Sequence, residues 1–296
     1  MKRLPLLGLG LALSMGVSQP ACAFLMDEWA PIAAESGDNT SRTALEPGVP
    51  WQEGTSGMRF QWIAAACYAM GSHPQVEDRE TDEGPVHEVC VDGFWLADRE
   101  VTQGQWRSIM RTNPAMFRKG DDYPVEQVSW EDVEAFLKRI NGLYENRAHF
   151  RLPREAEWEF ACRNAGERMR YPNGESPNQS GWYAENASGG SHRAATLAAN
   201  RLGLYDMAGN VWEWTEDAYF SDAYSRHERQ NPLVTGRSVY RVIRGGGWGS
   251  QAAKLRCANR GFELFSVKRS DLGFRLVVEK AIEKPKPPPE VKNLPF

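Results

Sequence analysis

Asp206 and Glu213 are the two carboxylates of the stretch Gly203 to Trp214, which reads Gly-Leu-Tyr-Asp-Met-Ala-Gly-Asn-Val-Trp-Glu-Trp. A Gly209-Asn210 turn signal lies between them, so the loop can fold back and bring both side chains, with loop carbonyls, onto one hard cation such as calcium. The other reading of the same spacing is that Asp206 caps a turn and Glu213 faces solvent, since calcium sites ordinarily show more carboxylates than two.

Other residue types capable of chemistry are scattered. The histidines His73, His87, His149, His192 and His227 include no i, i+4 pair, so none forms a helical metal site, and each reads as a surface or loop residue. The chain has no Gly-x-Ser-x-Gly elbow, phosphate loop or dinucleotide fingerprint. Its basic residues are dispersed and its formal charge is -4, which argues against a nucleic-acid partner. Hydrophobic residues at 41% and charged residues at 25% are ordinary for a globular protein with a substantial core.

Residues 1–23 have a basic start (Lys2, Arg3), an apolar run from Leu4 to Val17 and an Ala21-Cys22-Ala23 end, the pattern of a secretory signal peptide. Cleavage there makes Phe24 the mature start, leaves a charge of -6 and predicts an exported, periplasmic protein. Cys22 raises a lipoprotein alternative, but Gln19 and Pro20 are the wrong context for it. No other stretch approaches the ~18 apolar residues of a transmembrane helix. Removing Cys22 leaves Cys67, Cys90, Cys162 and Cys257, which suits an oxidising compartment and permits three pairings.

The elements that must position these residues follow in order. Residues 24–57 mix Pro, Gly, Ser and acidic residues without a period and read as a leader lying over the domain or mobile. Met58 to Met70 and Val86 to Leu96 are β-type runs joined by a polar loop. Thr102 with Gln105, and Ser129 with Asp132, are capping boxes that start helices through Met110 and Leu143. Val133, Phe136, Leu137 and Ile140 share one face of the second. Arg154 to Arg163 is a third, short helix, and residues 164–201 are rich in Gly, Asn and Ser. Residues 280–296 are a Pro-rich, solvated tail.

Four blocks occur together: Phe150 to Cys162 (Phe-Arg-Leu-Pro-Arg-Glu-Ala-Glu-Trp-Glu-Phe-Ala-Cys), Gly203 to Trp214, Arg244 to Trp248 (Arg-Gly-Gly-Gly-Trp) and Leu272 to Leu276 (Leu-Gly-Phe-Arg-Leu). In this order they resemble the formylglycine-generating enzyme, or sulfatase-modifying factor, superfamily over residues 58–279. The resemblance implies one compact α+β domain, related to C-type lectins and low in regular structure, with small antiparallel sheets, two or three helices and long metal-tied loops. It implies calcium ligation by the Asp206 and Glu213 side chains with the Gly209 and Val211 carbonyls. A second family calcium site is not expected, because Gly181 to Asn200 is short and holds no aspartate. It also implies the disulfide Cys162 with Cys257, leaving Cys67 with Cys90, and a third helix without its usual capping Thr, since Arg154 stands there.

The family's copper oxidases hold Cu(I) with two cysteines just past the Gly-Gly-Ser-aromatic turn, because soft thiolates select that ion. Here Ser250 takes the first place and the second falls near Leu255, so formylglycine generation by that route is disfavoured. The His-x-x-x-His-x-Glu helix of the family's iron oxygenases is absent too. In the equivalent cleft the resemblance leaves Trp248, Arg260 and Glu263 as candidate catalytic residues and Trp212, Ser250, Asn259 and Arg244 as candidate substrate contacts. Trp248 would stack on a planar group, the arginines would orient an anionic one and Glu263 would accept a proton. The opposing reading puts the tryptophans in the core and pairs the arginines with Asp206, Glu213 or Asp271. An exported member without the cysteine pair fits a periplasmic maturation enzyme that oxidises the chromophore precursor of a secreted peptide siderophore, pyoverdine, with a small peptide-derived substrate and an unassigned redox cofactor. The alternative is a noncatalytic module binding peptide or glycan.

Overall fold

The computed structural model describes residues 45–145 and 147–280; the signal peptide, most of the leader and all of the tail beyond Lys280 lie outside the described residues. Each expected β run is divided between two sheets. The first yields β2 (Arg59–Ile63) and β3 (Ala66–Met70), the second β4 (His87–Val91) and β5 (Phe94–Ala97), after a short β1 (Trp51–Gln52). β2 pairs with β5, and β3 with β4, so the two runs make one long antiparallel hairpin bent in the middle. Gly93 sits at the bend because a Cβ there would lie 2.3 Å from the Trp62 indole. Cys67 and Cys90 face each other across the β3–β4 ladder and are bonded, while Cys162 is bonded to Cys257.

Both capping boxes form. Thr102 accepts from the Gln105 N–H ahead of α1 (Gln103–Met110), and Ser129 from the Asp132 N–H ahead of α2 (Trp130–Leu143). Val133, Phe136 and Ile140 of α2 are fully buried, with Trp106 of α1 stacked on Phe136 at 5.2 Å between ring centres. Beneath the helices lies an antiparallel sheet ordered β1-β2-β5-β11-β6, completed by β6 (Ala148–Arg151) and β11 (Val277–Lys280). Leu45 and Trp51 are part of this core, and Val49 accepts the Trp95 indole N–H at 2.9 Å. The described part of the expected leader therefore belongs to the domain, because its isolated apolar residues complete the sheet's end.

The third helix, α3 (Glu155–Cys162), is buried at every position. Its missing Thr cap is replaced twice: Glu157 reaches back to the Arg154 N–H at 2.8 Å, and Asp217 accepts the Glu155 N–H at 2.7 Å. After a one-turn α4 (Pro177–Ser180), Asp217 comes from β7 (Trp212–Ala218) in a second sheet ordered β10-β7-β8-β9. Its other strands are β8 (Tyr240–Arg244), β9 (Gly261–Leu264) and β10 (Leu272–Phe274), and only β10 runs parallel to β7. The result is a mixed α+β domain with few helices.

The disulfides close loops of 95 and 23 residues. Loop entropy assigns the longer about 4 to 5 kcal/mol and the shorter about 3 kcal/mol. Cys162→Ser with Cys257→Ser should accordingly lower the urea midpoint more than Cys67→Ser with Cys90→Ser. The reverse order, or free thiol at Cys162 or Cys257 in nonreducing peptide maps, would contradict this assignment.

Candidate functional site

The residues assigned to a cleft separate into a buried group and a surface group. Arg244, at the end of β8, is fully buried; its guanidinium pairs with Glu159, lies 3.4 Å from Glu155 and donates to the Asn259 carbonyl. Arg260 donates to both oxygens of Glu155, at 2.7 and 2.9 Å, and to the Asp82 carbonyl at 3.0 Å. Asn259 donates to Glu83 at 3.3 Å, and Arg256 makes two bonds to that carboxylate at 2.8 and 2.6 Å. Burial works to raise the Glu155 carboxyl, but Arg260 and Arg244 outweigh it and hold it at about 2. Arg244 and Arg260 are thus inside the protein and turned onto α3, while Asn259 is buried and turned onto Glu83. Their partners are Glu155, Glu159 and Glu83, none of which the sequence reading named. The clue was available in Glu155 and Glu159, one helical turn apart on a helix that also carries Ala156, Trp158, Phe160 and Ala161, since carboxylates there need counter-charges if buried.

The Asp206–Glu213 loop forms a second cluster. Asp206, in the left-handed region at φ 52°, accepts the Ala195 N–H at 2.6 Å through one oxygen, and its other oxygen is buried without a partner. Burial pushes its carboxyl up to about 6. Glu213 does not face solvent: it is fully buried and accepts the Trp158 indole N–H at 2.8 Å and two Arg275 N–H groups at 2.6 Å each. Gly209 is required for close packing, since a Cβ would lie 2.2 Å from the Trp182 carbonyl. Glu100 adds a third carboxylate, with both oxygens buried and unpartnered, raised by burial and by Asp206 and Glu213 nearby. As calcium ligands, Asp206 fits and Glu213 does not, because Arg275 already takes both its oxygens. Among the described residues no three acidic, histidine or cysteine side chains converge as metal ligands.

Trp248, Ser250 and Glu263 remain partly exposed. Trp248 donates its indole N–H to the Ser270 carbonyl at 2.9 Å and meets the Phe117 ring edge-on at 5.4 Å. Ser250 accepts the Gly247 N–H through its hydroxyl at 3.0 Å, closing the turn. Trp212 is buried beneath, against Gly247 and Gly261. Glu263, on β9, accepts from Arg269 at 2.9 Å, and Arg269 also holds Asp271 at 2.9 and 2.8 Å. Arg269, Phe117 and Glu126 were missed in the sequence. Glu126 is buried, anchors the Phe117 N–H at 2.7 Å and has one oxygen unpartnered; its place between Val125 and Val128 signals burial but no role. Beside this turn, Met116, Arg118, Gln127 and Lys268 line an open groove of about 670 Å³.

Fold and turn together define a loop-rich α+β domain organised around the α3 block, the Asp206–Glu213 loop and the glycine turn. Residues 52–280 match the model of the sulfatase-modifying factor enzyme 1-like domain, and the chain belongs to that family. It is 32% identical over 223 residues to a serine/threonine-protein kinase pkn1 of Chlamydia caviae, covering 66% of this chain and 34% of that protein. The chain therefore spans about a third of the length of the chlamydial kinases it matches. It is 26% identical to the mouse formylglycine-generating enzyme, covering 81% of this chain and 80% of that one. The structure of PvdO from Pseudomonas aeruginosa superposes with TM-score 0.71 at 22% identity, covering 80% of this chain and 100% of that one, which shows a shared fold. Another relative, 27% identical over 83% of this chain, is named as a hercynine oxygenase of Mycolicibacterium thermoresistibile.

Arg260→Ala would strip the buried Glu155 of its two-bond partner and leave it only Arg244, at 3.4 Å, as counter-charge, at a cost of about 3 kcal/mol, and should reduce folded protein. Glu263→Gln breaks a partly exposed pair and should cost less than ~1 kcal/mol. The depressed Glu155 carboxyl contributes stability that is fully present above its ordinary value of 4.5 and is lost as pH falls through about 2. Urea melts across that window should show the wild type losing on the order of 3 kcal/mol from this group. A Glu155→Gln protein with unchanged stability at pH 7 would contradict the role given to the pair.

Proposed function

We propose that the protein is an exported maturation factor that acts oxidatively on the chromophore precursor of a peptide siderophore, with the Trp248 turn as its site. The observation that carries this reading is the state of the cysteines. Every cysteine among the described residues is in a disulfide, and at the turn Ser250 spends its hydroxyl on the Gly247 N–H. No thiolate pair is left for Cu(I), so the family's formylglycine chemistry does not suit this turn. The fold shared with PvdO across that whole chain accords with this reading.

In this reading the Trp248 face packs against a planar ring, Glu263 accepts a proton, and Arg118 and Lys268 along the groove meet the substrate's anionic groups, in place of the buried Arg260 and Arg244. Deleting the gene should leave a nonfluorescent precursor in the periplasm. Trp248→Ala and Glu263→Gln should do the same at wild-type levels of folded protein, with activity down about 10²-fold or more for the proton acceptor. Normal mature siderophore from the deletion strain would overturn the reading and favour a noncatalytic binding module, for which exposed Tyr240 and Phe262 offer an aromatic surface.

The proposal includes one structural calcium at the Asp206 loop, held by Asp206 with the Gly209 and Val211 carbonyls while Glu213 stays with Arg275. Its support is the surplus of buried carboxylate oxygens on Asp206 and Glu100. Millimolar calcium should raise the melting temperature, chelator should lower it by several degrees, and Asp206→Ala should abolish the response. A melting curve unmoved by chelator removes the ion from the reading.

A further inference from the structure

The two disulfides differ in what can reach them. Cys162 and Cys257 are both fully buried, whereas Cys67 is exposed and its partner Cys90 lies inside. On the side away from β3, the Cys90 N–H donates to the Arg229 carbonyl and its carbonyl accepts the Asn231 N–H, each at 2.7 Å. Cys67 and Cys90 therefore occupy a non-hydrogen-bonded position of the β3–β4 ladder, where facing side chains come closest. The same segment brings Arg229 over the bond, and its guanidinium donates to the Cys67 sulfur at 3.9 Å. Arg229 also pairs with Glu88, but the two side chains are 64% and 59% exposed, so water screens that pairing and the cation still acts on the sulfur.

A disulfide opens when a thiolate attacks one of its sulfurs, and both access and nearby positive charge speed that attack. Of the four bonded cysteines Cys67 alone is exposed, and Arg229 supplies the charge beside it. We infer that the Cys67–Cys90 bond is a thiol–disulfide exchange site for a small anionic thiol, and that the attacked atom is the Cys67 sulfur. The new bond joins the thiol's sulfur to Cys67, the Cys67–Cys90 bond breaks, and its electron pair stays on the Cys90 sulfur, which takes a proton from water. The thiol is thereby oxidised to a mixed disulfide and Cys90 is reduced. The hairpin outlasts the exchange, because Tyr68, Met70, Val89 and Val91 hold β3 and β4 in the core without the bond. Cys162–Cys257, closed to solvent, takes no part. The inference does not depend on the function proposed for the Trp248 turn.

Glutathione serves as the probe, added to the oxidised, folded chain at roughly pH 8, where an ordinary thiol is partly ionised. Samples are quenched with N-ethylmaleimide and mapped by mass spectrometry. Glutathione should be found on Cys67 and maleimide on Cys90, with Cys162–Cys257 opening at least about 100-fold more slowly. Arg229→Gln should slow the exchange about threefold and Glu88→Gln should speed it by about as much, and both effects should shrink in high salt. Both positions are exposed, so neither change disturbs the core. With the neutral thiol 2-mercaptoethanol the dependence on Arg229 should be weaker. Glutathione found on Cys90, equal opening rates for the two disulfides, a rate indifferent to both charge variants, or no exchange in the folded chain would each overturn the inference.

Discussion

The fold depends on neutralising the two inward carboxylates of α3. Glu155 and Glu159 are fully buried on a helix with no exposed face, and an uncompensated carboxylate there would cost several kcal/mol. Their counter-charges arrive from three directions: Arg244 from the end of β8, Arg260 from the start of β9, and Arg163 from the next turn of the same chain segment. Pairing of Ile243 with Gly261 in the β8–β9 ladder sets Arg244 and Arg260 side by side, and they meet Glu159 and Glu155 one turn apart on α3. Asp217 on β7 caps the helix, so the four-stranded sheet supplies both the cap and the charges. The Cys162–Cys257 bond ties the end of α3 to the segment that carries Arg260, and the helix is thus held at both ends.

The same device recurs where β7 and β10 run parallel. Glu213 and Arg275 lie on adjoining segments of that pair and are joined by two hydrogen bonds, with the Trp158 indole of α3 donating a third. Trp158 therefore connects the two ionic clusters. Such networks are weak evidence for net stability, because desolvation offsets much of the attraction, but once buried they make each partner indispensable to the others. That is the physical reason Arg244 and Arg260 are unavailable to a substrate: releasing either would strand a carboxylate in the core.

Legibility in the sequence followed the range of the interaction. The helices after Thr102 and Ser129 were readable because a capping box is complete within four residues. The division of each β run was not, because it rests on Gly93 accommodating Trp62, a contact between two strands whose separate patterns look continuous. Trp51 reads as part of a leader since an isolated tryptophan has no period, yet its ring packs against Phe60 on the adjoining strand and against Phe150, which lies far along the chain. The disulfide pairing was reached through the family resemblance alone, spacing having left three choices. The arginines were assigned to a cleft for the same reason in reverse: resemblance gave their neighbourhood, but which carboxylate each meets is decided by side-chain packing that no motif encodes.

This division between a charge-locked framework and a turn that touches little of it explains how one fold can carry different chemistries. The Ser250 side chain bonds only within the turn, its hydroxyl accepting the Gly247 N–H, while its carbonyl accepts the Ala184 N–H from the long loop. Exchanging a thiol for a hydroxyl at that place changes what the turn can ligate without disturbing Glu155, Arg244, Arg260 or either disulfide. The shape of the turn is held instead by backbone contacts, the Trp248 N–H to the Asn210 carbonyl at 2.7 Å and the Gly209 N–H to the Gly245 carbonyl at 2.9 Å, which join it to the Asp206 loop. A change of side chain at Ser250 is therefore compatible with an unaltered core, and the shared framework by itself identifies the family while the turn around Trp248 is free to differ from it.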